Sequence, residues 1–484
     1  MNEGLLKLIS ENIVDGELPR EFSLTKGDDD GSIKFADGAR DGIAKFHFGR
    51  QQLTDEISAL IEKAFSLIAD RERALVAFDE LFEKISPISA IDFIQGYIYD
   101  HTDCLDPNAL HGFAMDCLYS DKIDTVKLAL ILLEVFNEPQ ENLKKHIRTL
   151  GLSDEFTIFT VFHMMHWTGG NSEIFELAKH VHGWGKIHAV ERLSPDTQEI
   201  RDWLLKEGCN NDIIPEYSAL EVFNKAEVAK LLKVDITDEQ LSDISFVIRS
   251  MLSEGPVTGI SAVENADEVI TDLLSQIEKH KLTLSVCEAV LSIANCDKLQ
   301  NESVYAEKIL NSLECRKLTD EAITRCEGLG LADKLGIDSD KAVFELMQNN
   351  FEKGWYLCYR LIKKDGYREK VLDLFRTKLP LKSMESEPQD CMGLGKDYSD
   401  YNKLIQVIQN LGDYPLCGTD LVLAGLKSPV INNRNMALRV IDSWRKANNC
   451  SLKELSEDLY AAVEYLKSAE VSDSVKKNIE EYGF

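Results

Sequence analysis

From Gln51 to Phe484 the apolar residues of this chain recur at helical spacing, segment after segment, with glycine, proline, asparagine or aspartate at the breaks. Apolar side chains at i, i+3, i+4 and i+7 form a stripe on one face of a helix, and another helix must cover that stripe. Amphipathic segments are expected at 52–70, 72–85 and 89–100. Asp106 followed by Pro107 reads as an N-cap and first helical position. The segment 121–136 is apolar nearly all round through Leu128–Leu133, so it belongs inside, flanked on more than one side. Further helices are expected at about 223–233, 238–254, 264–279, 283–295, 302–313, 318–328, 339–349, 352–364 and 366–378. Helix pairs then recur every roughly 30 to 45 residues, the period of stacked helical repeats. At 484 residues the chain exceeds what one compact core covers, about 250 to 300 residues, so several domains or a repeat array are required.

The block GLKSPVINNRNMALRVIDSWRKAN carries the clearest repeat pattern. Pro429 separates two helices, Asn432, Asn433 and Arg434 are expected to open a turn, and Met436, Leu438, Val440, Ile441 and Trp444 build a packing face. This block resembles a HEAT or armadillo repeat, and SDKIDTVKLALILLEVF has a similar form. The expected fold is all-α, a HEAT/armadillo-like α–α superhelix or solenoid with a small N-terminal β-hairpin or glycine-rich arm. Its expected parts are an N-terminal helix and arm (1–50), a helical-repeat body (51–380) containing the His/Trp-rich stretch 154–220, and a C-terminal HEAT-like unit (398–484). The Pro- and Gly-containing run 379–397 is the expected linker.

Strand character is confined to the region before Gln51. After a short helix expected at 4–14, the pieces Ser32–Phe35 and Ile43–Phe48 alternate between glycines at 27, 31, 38 and 42 and read as a hairpin. Asp28, Asp30, Gly31, Ile33 and Asp37 match five positions of a calcium-binding loop, but Lys26 occupies its first position. A solvated turn is the expectation there.

The balance of 83 acidic against 54 basic residues gives a net charge of -29. Such a surface repels nucleic-acid phosphates and anionic lipid alike, so neither is an expected partner. Eleven scattered cysteines without a C-x-x-C pair point to reduced thiols. With no basic, apolar leader at the N-terminus and no apolar run near the roughly 20 residues that span a bilayer, a cytoplasmic protein is expected.

Half of the ten histidines and three of the five tryptophans lie between Asp154 and Leu220. Gly183, Trp184 and Gly185, followed by His188 and Arg192, set an aromatic plate beside cations at a turn. This arrangement either clamps a ligand or partner side chain, or makes a tight helix corner in which Arg192 pairs with Asp196. Together with His180, His182 and Trp203, these residues are the expected partner-binding patch. Ser194, Pro195 and Asp196 read as a helix start and Gly208 as its stop, which puts Trp203 on a packing face with Ile200 and Leu204. Upstream, Asp154, Thr157, Thr160, His163 and His166 share one polar row on an otherwise apolar helix. Such a row must be hydrogen-bonded, wet, or the lining of a cavity. His163 and His166 are the residues a metal would use, although H-x-x-H lacks the spacing of H-E-x-x-H. No metal and no other cofactor is predicted.

The block GWGKIHAVERLSPDTQEIRDWLLKEGC, with YSAL downstream, resembles a family of bacterial proteins of similar length commonly named limonene hydroxylase. Taken literally, that resemblance implies oxygen insertion into a monoterpene by a haem, flavin or non-haem metal. No motif for any of these groups is present. The leading expectation is therefore a non-catalytic helical-repeat scaffold that binds a protein or peptide on its concave face, with the oxygen-dependent hydroxylase, an oxidoreductase, as the alternative.

Overall fold

A computed structural model describes residues 4–24, 35–49 and 51–484. Every regular element among them is a helix, and the only β pairing is two isolated bridges, Val14 with Glu17 and Cys391 with Val430. No described helix is long and apolar enough to cross a membrane. The chain divides into two compact units, whose described residues are 4–24 with 35–315, and 316–484. The run 379–397 lies inside the second unit.

The first unit begins with α1 (Gly4–Glu11) and α2 (Ala39–His47), followed by α3 (Asp55–Ser66), α4 (Arg71–Lys84), α5 (Pro87–Asp100), α6 (Pro107–Leu118) and α7 (Ile123–Glu134). It continues through α8 (Glu141–Gly151), α9 (Thr157–Met165), α10 (Gly170–His180), α11 (Gly183–Arg192), α12 (Gln198–Glu207) and α13 (Glu216–Lys225). The short α14 (Val228–Leu231) leads to α15 (Asp238–Leu252), α16 (Ala266–Ile277), α17 (Leu284–Ala294) and α18 (Gln300–Leu310). Alternate helices form a row: α5 packs on α7, α7 on α9, α9 on α11, α11 on α13, α13 on α15 and α15 on α17. Helices between them pack against members of that row, as α6 does on α7 and α10 on α11. In α7 every residue from Thr125 to Leu133 is buried, as its unbroken apolar run requires. Helix starts follow the sequence signals: Asp106 accepts the Asn108 amide at 2.9 Å with Pro107 in the first turn, and Thr237 with Gln240 forms a reciprocal capping box.

Two local expectations in this unit are corrected. The segment Ile43–Phe48, read as a strand, lies in α2 and its C-cap. Gly38, with φ 71°, turns the chain into that helix, and the four-residue spacing of Gly38, Gly42 and Phe46 lays one face against α11, which outweighs the local alternation. Of the piece Ser32–Phe35 all but Phe35, and most of the calcium-loop match, fall outside the described residues. The helix after Leu193 is capped by Thr197, whose hydroxyl accepts the Ile200 amide at 3.2 Å, and not by Ser194, whose carbonyl and amide are taken by Asn171.

In the second unit, Asn432–Arg434 do not open a turn; they form the first turn of the helix Ile431–Asn448. Arg434 is fully buried there. Its guanidinium meets both Glu470 carboxylate oxygens at 2.7 and 2.8 Å and donates to the Ser428 and Gln389 carbonyls at 2.9 Å. Nearly every donor of the guanidinium is used, which is what makes a buried charge tolerable. Leu438, Val440, Ile441 and Trp444 are buried as expected, and the Trp444 indole N–H donates to the Leu411 carbonyl at 2.7 Å.

Candidate functional site

Two glycines at the start of α11 create the local structure. A β-carbon on Gly183 would fall 1.9 Å from Asp154 Oδ2, and one on Gly185 would fall 2.6 Å from Thr157 Oγ1. Their absence lets the helix N-terminus seat on Asp154, whose carboxyl receives the Trp184 and Gly185 amides. Burial, with the nearby Asp37, nevertheless pushes that carboxyl up to about 8.

Trp184 is buried against α2. A β-carbon at Gly42 would lie 2.2 Å from the indole, and the rings of Tyr217, His188 and Phe46 stand 4.8, 6.1 and 6.2 Å away. The indole is thus a docking plate for α2. Buried charge holds the same helix: Lys127, on α7, bonds Asp41 at 2.6 Å and Glu155, and Glu155 accepts the Gly38 amide at 2.6 Å. These carboxylates outweigh burial and raise the Lys127 ammonium above its ordinary value.

One turn beyond Trp184, His188 is completely enclosed and neither ring nitrogen has a hydrogen-bond partner; Nδ1 lies 3.9 Å from Glu191. Burial drives it down to about 4, so it is neutral at physiological pH. Burial alone would raise the Glu191 carboxyl, but the Lys45 and Arg192 cations hold it at about 2. Lys45, from α2, contacts Glu191 directly, and burial lowers its ammonium. Arg192 lies 3.9 Å from the same carboxylate, with its guanidinium 5.3 Å from the centre of the Phe162 ring and its Nε enclosed without a partner. The expected pairing of Arg192 with Asp196 is not made; Asp196 accepts from Asn171 at 2.9 Å.

Lys45 and Arg192 stand on the wall of a cavity of about 710 Å³ between α2, α5, α7, α9 and α11. Its α5 side supplies Ser89, Asp92, Phe93 and Gln95, and the end of α7 supplies Glu134. Gln95 donates to Glu134 at 2.9 Å, His166 stands 3.5 Å from the other carboxylate oxygen, and burial raises the Glu134 carboxyl.

The residues singled out in the sequence therefore separate. Trp184, His188 and Arg192 come together, and His166 reaches the cavity through Glu134. Trp203 packs edge-on to Phe175 at 5.5 Å with Lys186 5.4 Å from its centre, and it lines no part of the cavity. His180 and His182 share Glu17, at 3.5 and 3.3 Å, and pin the N-terminal segment instead. The polar row on α9 is hydrogen-bonded internally: Thr157 to the Gly151 and Ser153 carbonyls at 2.9 Å, Thr160 to Thr157, and His163 to the Leu130 carbonyl at 2.8 Å. Lys45, Asp92, Gln95 and Glu134 were missed. Asp41 and Lys45, spaced i, i+4, carried the signal for the first of these, since on a helix they share one face with the glycines.

The chain matches no protein-family model and no curated protein.

The metal implied by the hydroxylase resemblance does not fit these donors. Among the described residues no three His, Cys, Asp or Glu side chains converge as a ligand set. His163 already spends its Nε2 on Leu130, while His180 and His182 sit apart at Glu17.

Proposed function

We propose that this chain is a non-catalytic HEAT/armadillo-like superhelix that binds a protein or peptide partner, and that the partner presents an acidic group at the cavity beside Arg192. The repeat reading is supported by the row from α5 to α17, in which each helix packs on the next of its kind. The binding reading rests on one observation, the Arg192 guanidinium in a cavity wall, where among the described residues it donates no hydrogen bond and lies 3.9 Å from the Glu191 carboxylate. A guanidinium has five donors and no acceptor, and its strongest partner is a carboxylate gripped by two of them.

The test is selection of a displayed random-peptide library on the full-length chain. Enrichment of Asp- and Glu-containing peptides is expected, with affinity reduced at least tenfold by Arg192→Met and unchanged by Trp203→Phe. Selected peptides that bind Arg192→Met as tightly as the parent, with unchanged circular dichroism, refute the site. Hydroxylated limonene formed by the purified chain with a reductant and oxygen refutes the non-catalytic reading.

A further inference from the structure

Among the described residues the two walls of the cavity carry charge of opposite sign. On one wall Lys45 and Arg192 share the single carboxylate of Glu191, and the adjacent His188 is neutral. The nearby Lys225 is already engaged by Glu221 at 3.2 Å and the Val190 carbonyl at 2.8 Å. A surplus of cations is not the background of a chain with 83 acidic and 54 basic residues. On the other wall Glu134 meets an amide and an exposed imidazole, with Asp92 beside it. Among the described residues no lysine or arginine pairs with Asp92 or Glu134, and no ion pair joins the two walls. Among the described residues one wall holds more cations than carboxylates and the other holds carboxylates without a lysine or arginine, and the space between them is of the size that takes a small organic molecule.

We propose that this cavity recognises a zwitterionic group, with its carboxylate on Arg192 and Lys45 and its ammonium or guanidinium on Glu134 and Asp92. The inference rests on the binding reading above and names the chemistry it selects. A phosphate ester meets repulsion from the acidic wall. A hydrocarbon strips water from both walls and returns no hydrogen bond. The apolar faces of Phe93 and Phe162 suit the methylene stem between the charges. Two sources present this chemistry, a free amino acid and neighbouring acidic and basic residues of a peptide.

Titration calorimetry on the full-length chain separates the possibilities. The probes are acetate, butylamine, inorganic phosphate and an ω-amino acid series of glycine, β-alanine, 4-aminobutyrate and 6-aminohexanoate. Peptides carrying one aspartate and one lysine at increasing separation form a second series. One zwitterion is expected to bind at least tenfold more tightly than acetate, butylamine or phosphate, and Arg192→Met and Glu134→Gln each to lose at least tenfold. Preference for a free amino acid identifies the first source, and preference for a peptide identifies the second. Should either variant fail to fold, the ranking on the parent chain still decides. If no zwitterion in either series outbinds acetate, the inference is overturned. Acidic peptides that still depend on Arg192 then leave the binding reading standing, whereas loss of both overturns both.

Discussion

Glycine to alanine at Gly42 and at Gly96 are the same chemical change in two helices, and they are expected to have opposite signs. At Gly96, inside α5, an added β-carbon meets nothing within 4 Å. Alanine there removes unfolded-state freedom and stabilises by about 0.5–1 kcal/mol. At Gly42 the same carbon arrives 2.2 Å from Trp184 Cε3, where ordinary contact begins at 3.4 Å, so the ring or the helix must retreat by about 1.2 Å. The indole cannot yield freely, because Tyr217, Phe46 and His188 surround it. Overpacking of this kind costs about 1–3 kcal/mol, which outweighs the propensity gain and leaves a net loss of about 1–2 kcal/mol. For a unit of this size that is a fall of roughly 2–5 °C in the midpoint. Scanning calorimetry on both variants, with near-ultraviolet circular dichroism for the indole, reads it directly. A Gly42→Ala chain that matches Gly96→Ala in stability refutes the docking of α2 on Trp184.

Three further outcomes are expected. Lys127→Met leaves Asp41 and Glu155 buried without their cation and should cost about 3–5 kcal/mol in urea unfolding, a loss that adding Asp41→Asn and Glu155→Gln partly recovers; an unchanged midpoint refutes the buried triad. Between pH 6.5 and about 8 stability should fall by about 1.4 kcal/mol per pH unit, because Asp154 keeps a proton to about 8 that the unfolded chain has released while His163 and His188 are neutral in both states. Asp154→Asn should flatten that fall, and urea titrations at several pH values check it. Arg434→Met strands Glu470 and should raise hydrogen exchange throughout the helix Ile431–Asn448, and Arg434→Lys should not restore protection because an ammonium cannot make the same fork of bonds.

The helical architecture was legible because a 3.6-residue period survives in almost every segment, and α7 could be placed inside from its composition alone. The exceptions share a cause. Ile43–Phe48 alternates like a strand, yet Gly38, Gly42, Asp41 and Lys45 acquire their meaning only from residues far along the chain, on α7 and α11. Arg434 reads as a surface residue until Glu470 is brought beside it. At the site, Arg192 and His188 were found because glycine and tryptophan advertised their neighbourhood. Glu134 and Gln95 were not, because each looks like an ordinary polar residue on its own helix. The histidines misled for the reverse reason: crowding in sequence did not become convergence in space, since successive turns and helices point them to Leu130, Glu134 and Glu17.

The attachment of α2 also has a consequence in time. Its bonds reach Lys127, Glu155, Glu191 and Tyr217 across separations of 86, 117, 146 and 170 residues, whereas the array beneath it grows by neighbours. A ribosome adding roughly 5–20 residues per second takes on the order of 10–30 s to pass from His47 to Tyr217. Lys127, the partner of Asp41, is made about halfway through that interval, whereas Glu191 and Tyr217 come only at its end. The seat of α2, and with it the cavity wall that carries Lys45 and Arg192, is therefore complete only when a segment made near the start of synthesis meets helices made much later.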